Sequence, residues 1–276
     1  MDVLRFSVGE AALVRVPYVD VLVDAVVVGL TADDVAANDW ARPTWAEGEQ
    51  VRVGAAVWII QSEGRRIVVD PAQAADAILR TAPDAAFHQQ AVADALTAAG
   101  FPRESIDTVI ASHIDGIGMI AWLDDGGWRP FFPNAEIILS ERELAAIADG
   151  GPYEPQGREA ILELDLLGAV RAVGDEHVVT SEVGTTWVGA HSPGHLLVDV
   201  TSDGEHATMI GHLALSPLHC VTTAAGPHMD APGASEVLRG LGDGKRILVG
   251  PLWPAPGAAR WHDSDVETVA PDPVSG

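Results

Sequence analysis

Three short stretches of this sequence place histidine or aspartate directly after an apolar, strand-like run. VIASHIDGIGM carries His113 and Asp115, VGAHSPGHLLV carries His191 and His195, and MIGHLALSPLHC carries His212. Imidazole nitrogens and carboxylate oxygens bind zinc and iron, and the same groups transfer protons near neutral pH. Loops at strand ends can converge while the strands fix their positions. Side chains of these types can bind a metal or carry out acid–base chemistry.

Composition and charge limit the classes of partner. The chain of 276 residues has 16 basic and 40 acidic side chains, for a formal net charge of −24. A surface this acidic repels phosphate backbones and anionic lipids, which argues against nucleic-acid and membrane binding. Cys220 is the single cysteine, so no internal disulfide can form. With no signal peptide recognisable at the N-terminus, we expect a cytoplasmic protein.

The pattern of elements predicts an α/β fold with two β-sheets and helices on their outer faces. Strands are predicted over 51–60 and 65–70, and an alanine-rich helix over 74–99. Ser140 followed by Glu143 is typical of a capping box that starts a helix. A second half repeats the order with a helix near 158–168 and then strands around 186–190, 196–201, 207–211 and 246–250. We predict one domain over 1–262 and a flexible acidic tail over 263–276.

The order of these motifs resembles the metallo-β-lactamase superfamily, most closely its lactonase-like and organophosphate-hydrolase-like members. The similar pieces are RRIVVDPA, SIDTVIASH, GGWRPFFPNAEIILSERE, VGAHSPGHLLV, MIGHLALSPLHC and LVGPLWPAPGAARW, from about Val51 to Trp261. The resemblance implies an αββα sandwich of two mixed sheets with metals held in loops at one edge. Typical dinuclear members hold two zinc or iron ions on five histidines and two aspartates.

The metal motifs of that superfamily are incomplete in this chain. Its first motif reads H-x-H-x-D-H, and here a loop shorter by two residues retains His113 and Asp115, with Gly116 at the last histidine. His113 matches the first or the second motif histidine, depending on the direction of counting. Leu252 stands where the final histidine is expected. The resemblance thus leaves four metal-capable side chains at ligand positions, namely His113, Asp115, His191 and His212, the last in place of a bridging aspartate.

Residues that could contact a substrate are also suggested by the resemblance. Trp122 and Trp253 fall in or near segments that line the pocket of the superfamily, where indoles would suit an aromatic or apolar substrate. His228 lies in AAGPHMDAPG, a loop that could cover the pocket. His195 matches the second histidine of the G-H-T-P-G-H motif, which usually supports structure, and we include it among the substrate-binding candidates. Core packing and solvation are the competing explanations for these side chains.

Three functional hypotheses remain open at this level. The first is a hydrolase of a small ester- or lactone-like substrate that uses one divalent ion, zinc or iron, with His113 and Asp115 at the reaction centre. The second is a metal-free protein that uses histidine and aspartate for acid–base chemistry, or only binds a ligand. The third is a mononuclear iron oxygenase. The lactonase-like relatives carry a lid or dimer arm in the early segment, so a homodimer is a further expectation.

Overall fold

The fold is built from two seven-stranded mixed sheets. The computed structural model describes residues 1–71, 89–115, 118–124, 126–222, 226, 228–262 and 265–273. The first sheet has the order β1-β2-β6-β7-β8-β11-β12, in which β7, β8, β11 and β12 run parallel. Its strands are β1 (Leu4–Val8), β2 (Ala11–Pro17), β6 (Ala56–Ser62), β7 (Arg65–Val69), β8 (Thr108–Ile110), β11 (Glu136–Ser140) and β12 (Val170–Val173).

The second sheet contains the seven strands nearest the C-terminus in sequential order. They are antiparallel to their neighbours except for the parallel pair β16 and β17. The strands are β13 (Glu176–Val178), β14 (Val183–Trp187), β15 (Leu196–Ser202), β16 (Glu205–Met209), β17 (Ile247–Val249), β18 (Ala258–His262) and β19 (Asp265–Thr268).

Smaller elements complete the described chain. A three-stranded sheet has the order β3-β5-β4, and β9 pairs with β10 as a hairpin. The strands are β3 (Val21–Asp24), β4 (Ala46–Glu47), β5 (Gln50–Val53), β9 (Ala121–Asp124) and β10 (Gly127–Pro130). The α-helices are α1 (Ala32–Ala36), α2 (Gln89–Ala98), α3 (Glu141–Ala148), α4 (Pro155–Leu166) and α5 (Ala231–Leu241). Short 3₁₀ turns cover Ala25–Val28, Asp39–Ala41, Arg103–Ser105, Gly211–Leu213 and Pro217–Cys220.

Three apolar layers hold the sheets and helices together. The middle layer joins the facing surfaces of the two sheets, with Trp58 and Ile67 from the first and Val198 and Met209 from the second. One outer layer packs α2, α3 and α4 on the first sheet, and the other packs α5 and the small sheet on the second. Alternate side chains of a strand point to opposite faces, so the central strands need apolar residues on both. The predicted αββα sandwich is confirmed.

Several predicted boundaries differ from the structure. The strand predicted over 51–60 is broken after Val53, where Gly54 donates to the Leu252 carbonyl and β6 starts two residues later. Of the predicted helix over 74–99, residues 74–88 lie outside the described chain, and α2 covers Gln89–Ala98. The prediction of a flexible tail is wrong for residues 265–272. Here β19 pairs with β18, and the Asp272 amide donates to the Arg5 carbonyl over 2.7 Å. Among the described residues, every helix is too short or too polar to cross a membrane.

Candidate metal centre

Three parallel strands of the first sheet deliver polar residues to the same sheet edge. Asp70 directly follows β7, His113 comes three residues after β8, and Glu143 lies in the first turn of α3, directly after β11. Because parallel neighbours end at the same edge, their carboxyl ends bring these side chains together. The Asp70 amide extends the ladder by donating to the Ile110 carbonyl over 3.0 Å.

The second sheet contributes two more histidines at the same edge. His191 lies in the loop between β14 and β15, and His212 follows β16 in a 3₁₀ turn. Gly211 precedes it with φ of 52°, a conformation that favours glycine. A Cβ at Gly211 would lie 2.7 Å from the Ser112 hydroxyl, so only glycine allows the two sheets to approach this closely here.

His113, His191 and His212 converge on one point. One ring nitrogen from each lies within 4.8 Å of the others. Nε2 of His113 is 3.1 Å from Nδ1 of His212, and the same Nδ1 is 3.3 Å from a carboxylate oxygen of Asp115. His113 and His212 are buried, His191 is half-buried, and the Asp115 side chain is 52% exposed. The structure thus brings together all four side chains that the resemblance placed at ligand positions.

A chain of hydrogen bonds fixes the orientation of the His113 ring. The buried Asp70 carboxylate accepts from the Ser112 amide and from the Ser112 hydroxyl, each over 2.7 Å. With its proton directed to Asp70, the Ser112 oxygen accepts from Nδ1 of His113, at 2.9 Å. Nδ1 then carries the ring proton, and Nε2 presents its lone pair to the cluster. Such outer partners typically orient metal-binding histidines.

Burial keeps the rings of His113 and His191 neutral. Desolvation, followed by the neighbouring rings, lowers the pKa of His113 well below its ordinary value and that of His191 to about 2. The hydrogen bond from His212 is the largest cause that lowers the pKa of Asp115. At neutral pH His113 and His191 are therefore unprotonated imidazoles, and the Asp115 carboxylate beside them is ionised.

This donor set fits a single divalent ion. Three neutral imidazoles with further positions open form the usual set of a catalytic zinc site, and the same set holds iron(II). His212 turns Nδ1 toward His113 and Asp115, so Nδ1 is the nitrogen that would bind the ion. The four donors fall short of the set that two ions need, as the incomplete motifs predict.

A cavity of ≈ 380 Å³ opens over the cluster. Its lining includes His113, Asp115 and His191 together with Tyr153 and His228. The Nδ1 atoms of His191 and His228 are 3.2 Å apart, so the loop that carries His228 reaches the cluster. Substrate contact by His228 stays a prediction.

Three other candidates for substrate contact lie elsewhere. Trp253 is fully buried and its indole donates to the Ala214 carbonyl over 2.9 Å, so it packs in the core. His195 is also fully buried, stacks on His113 at 5.1 Å and contacts the Ile210 carbonyl through Nε2. These two predictions are wrong, because side chains without exposed surface cannot reach a substrate in the cavity.

Trp122 lies on the β9–β10 hairpin rather than in the cavity lining. Its ring meets Phe131 edge-on at 6.0 Å, and the Arg103 guanidinium lies over its face at 4.0 Å. The indole therefore covers the outer apolar layer of the first sheet. Substrate contact by Trp122 stays a prediction.

Sequence reasoning missed the side chains that support the histidines. The sequence indicates Asp70 only as the end of a strand and suggests no role for Ser112. Its pattern predicts a capping box of Ser140 and Glu143, but the Ser140 hydroxyl accepts from the Arg142 amide. The Glu143 side chain turns to the loops of the cluster instead. A buried carboxylate beside helix formers carries no local signal that would reveal this partner.

Comparison with solved structures supports the architecture. The fold is similar to that of the hydrolase AbOPH of the beta lactamase superfamily, with a TM-score of 0.74, 15% identity and 98% of each chain covered. AidC, a dizinc quorum-quenching lactonase, gives a TM-score of 0.73 at 16% identity and covers 99% of this chain and 98% of its own. A probable metal-dependent hydrolase from Staphylococcus aureus gives 0.71 at 12% identity, with 98% and 100% covered.

These similarities show that the chain has the metallo-β-lactamase fold along nearly its whole length. Sequence comparison gives no parallel result, since no family profile and no curated protein matches this chain. At these low identities the shared fold does not transfer a substrate or a metal.

Proposed function

We propose that this protein is a hydrolase that uses one divalent ion held by His113, His191 and His212. The observation that carries the proposal is the convergence of three ring nitrogens within 4.8 Å of one another. These histidines come from three separate loops of two sheets. Packing alone gives no reason for bringing three imidazoles to one point beside a cavity.

The residues around the three histidines have separable roles. An ion held there would supply Lewis acidity and make water nucleophilic near neutral pH. Asp115 is ionised and partly exposed beside the cluster, so its free carboxylate oxygen can accept the proton of an attacking water. Asp70, through Ser112, keeps the lone pair of His113 Nε2 directed to the site.

The substrate class follows from the cavity and from the structural relatives. A cavity of ≈ 380 Å³ suits a small molecule. AidC is described as a lactonase, which supports a lactone or ester among the candidates. Tyr153 and Met229 in the cavity lining offer apolar surface for an acyl or aromatic group, with His228 at the same wall.

Elemental analysis of protein purified without an affinity tag tests the metal. We expect about one equivalent of zinc or iron, lost in His191→Ala and His212→Ala but retained in the exposed control His206→Ala. The loaded protein is then assayed with chromogenic esters and lactones. Absence of stoichiometric metal after incubation with zinc and with iron(II) under anaerobic conditions would overturn the proposal.

A second function is favoured by the 3.1 Å contact between His113 Nε2 and His212 Nδ1. The same nitrogen of His212 also approaches Asp115, so a carboxylate can orient a pair of imidazoles for metal-free acid–base chemistry. Hydrolysis that persists in excess chelator identifies this alternative. Oxygen uptake by iron-loaded protein would instead identify the mononuclear oxygenase.

A further inference from the structure

The loop that carries His113 and the loop that carries His191 both donate hydrogen bonds to one carboxylate, that of Glu143. The amide of Ile114, which follows His113, donates to Oε1 of Glu143 over 3.0 Å. The hydroxyl of Ser192, which follows His191, and the amide of Gly194 both donate to Oε2 over 2.8 Å. The two oxygens of one side chain thus join the His113 loop to the His191 loop.

The environment of Glu143 shows that this carboxylate is confined. Glu143 has no exposed surface. A Cβ at Gly194 would overlap the Glu143 backbone, so the His191 loop lies directly on the first turn of α3. Burial raises the pKa of Glu143, and the hydrogen bonds from Ile114, Ser192 and Gly194 oppose that shift. Because Ile114, Ser192 and Gly194 are all donors, their hydrogen bonds favour the ionised side chain.

We propose that Glu143 is a positioning residue that sets the separation of His113 and His191. It acts through its hydrogen bonds to Ile114, Ser192 and Gly194, which flank the two histidines. The inference rests on the proposed metal-dependent function and adds to it the residue that holds two of the three histidine loops at a fixed separation. A rigid α-helix start, fixed by β11, thereby supports two loops that belong to different sheets.

Substitutions of Glu143 separate the effect of its charge from the effect of its side-chain length. Glu143→Gln keeps the shape, but its amide group cannot accept from both loops, so one loop loses its partner. Glu143→Asp keeps the charge and is shorter by one methylene, so it can bond one loop only. Ser192→Ala removes a single bond and serves as the milder variant in case Glu143→Gln does not fold.

Glu141→Gln is a matched control. Glu141 lies in the first turn of the same helix and is exposed to solvent. Its substitution removes the same charge from the helix N-terminus, so both variants lose the same stabilisation of the helix dipole. A difference between the two variants therefore reports on the contacts of Glu143.

The experiment measures zinc affinity by competition with a chelator, and amide exchange in the metal-free protein. We expect affinity about 10–100-fold weaker in Glu143→Gln and Glu143→Asp, a smaller loss in Ser192→Ala and none in Glu141→Gln. Exchange at Ile114 or Gly194 should become faster in the Glu143 variants. Affinity equal to wild type in folded Glu143→Gln would overturn the inference, even if its melting temperature is lower.

Failure of the proposed function gives a different result. If the wild-type protein binds no metal, the hydrolase proposal fails, and amide exchange alone decides the inference. Faster amide exchange at Ile114 or Gly194 in Glu143→Gln then supports the conclusion that Glu143 connects the His113 loop to the His191 loop. Unchanged exchange at both amides overturns it.

Discussion

Nε2 of His113 and Nδ1 of His212 lie 3.1 Å apart although 99 positions separate the two residues in sequence. One side chain follows a strand of the first sheet and the other a strand of the second. The contact therefore spans the two halves of the sandwich, at the edge where their loops meet. It explains why histidine in place of the expected aspartate still contributes a donor to the cluster.

The hydroxyl of Ser112 supports the His113 ring, so its loss should weaken the site. In Ser112→Ala, Nδ1 of His113 loses its acceptor, and Asp70 loses one of its two donors. We expect zinc affinity about 10–100-fold lower and a free energy of unfolding lower by about 1–3 kcal/mol. Chelator competition and denaturant titration measure these changes. Ser105→Ala is the control, since that hydroxyl bonds only locally, to the Pro102 carbonyl; equal affinity in both variants would contradict the prediction.

The side chain of Asp115 should affect turnover more than metal content. Asp115→Asn keeps the size of the side chain but removes the base, so kcat should fall by about 10²–10⁴-fold while the metal is retained. Steady-state kinetics and elemental analysis of the same preparation test this. The exposed Asp149→Asn controls for loss of surface charge. Loss of metal together with activity would instead identify Asp115 as a ligand.

A histidine at position 252, where the superfamily has its final metal-binding histidine, should not bind a metal in this protein. Leu252 is 1% exposed and packs in the core beneath the second sheet. A buried imidazole without a partner costs about 1–3 kcal/mol, so Leu252→His should lower the melting temperature without raising metal stoichiometry. Leu252→Met, which keeps volume and polarity, should remain near wild type. A second equivalent of metal in Leu252→His would refute this expectation.

His219 should make the stability of the protein dependent on pH. Burial is the main cause that lowers its pKa from 6.5 to about 4, and its Nδ1 accepts from the Ser216 amide at 3.2 Å. The unfolded chain therefore binds a proton before the folded protein does. The contribution of neutral His219 to the free energy of unfolding is fully present above pH 6.5. It decreases by about 1.4 kcal/mol per pH unit as the pH falls from 6.5 to 4.

The variant His219→Asn isolates this effect. Asparagine can accept the same amide hydrogen but does not titrate, so the slope of unfolding free energy between pH 6.5 and 4 should decrease relative to wild type. Denaturant titrations at several pH values measure the slope, with the exposed His206→Asn as control. An unchanged slope in His219→Asn would show that His219 does not carry this dependence.

Much of the architecture could be predicted from the sequence. Alternating and continuous apolar runs identified most strands, and the order of short motifs indicated the sandwich. The same reasoning did not indicate β19, in which two of the four residues are acidic and which pairs with β18. It also failed for Trp253, since nothing in a local pattern distinguishes an indole at a cavity from one in the core.

The side chains able to bind a metal can be identified from the sequence, and their number is too small for two ions. The types of donor and their places after strands are local properties, and local properties can be read along the chain. Packing of the two sheets is what brings His113, His191 and His212 to one point and leaves His195 behind them. Only the tertiary structure joined Ser112 to Asp70 and Glu143 to both loops, because such contacts depend on the packing of distant segments.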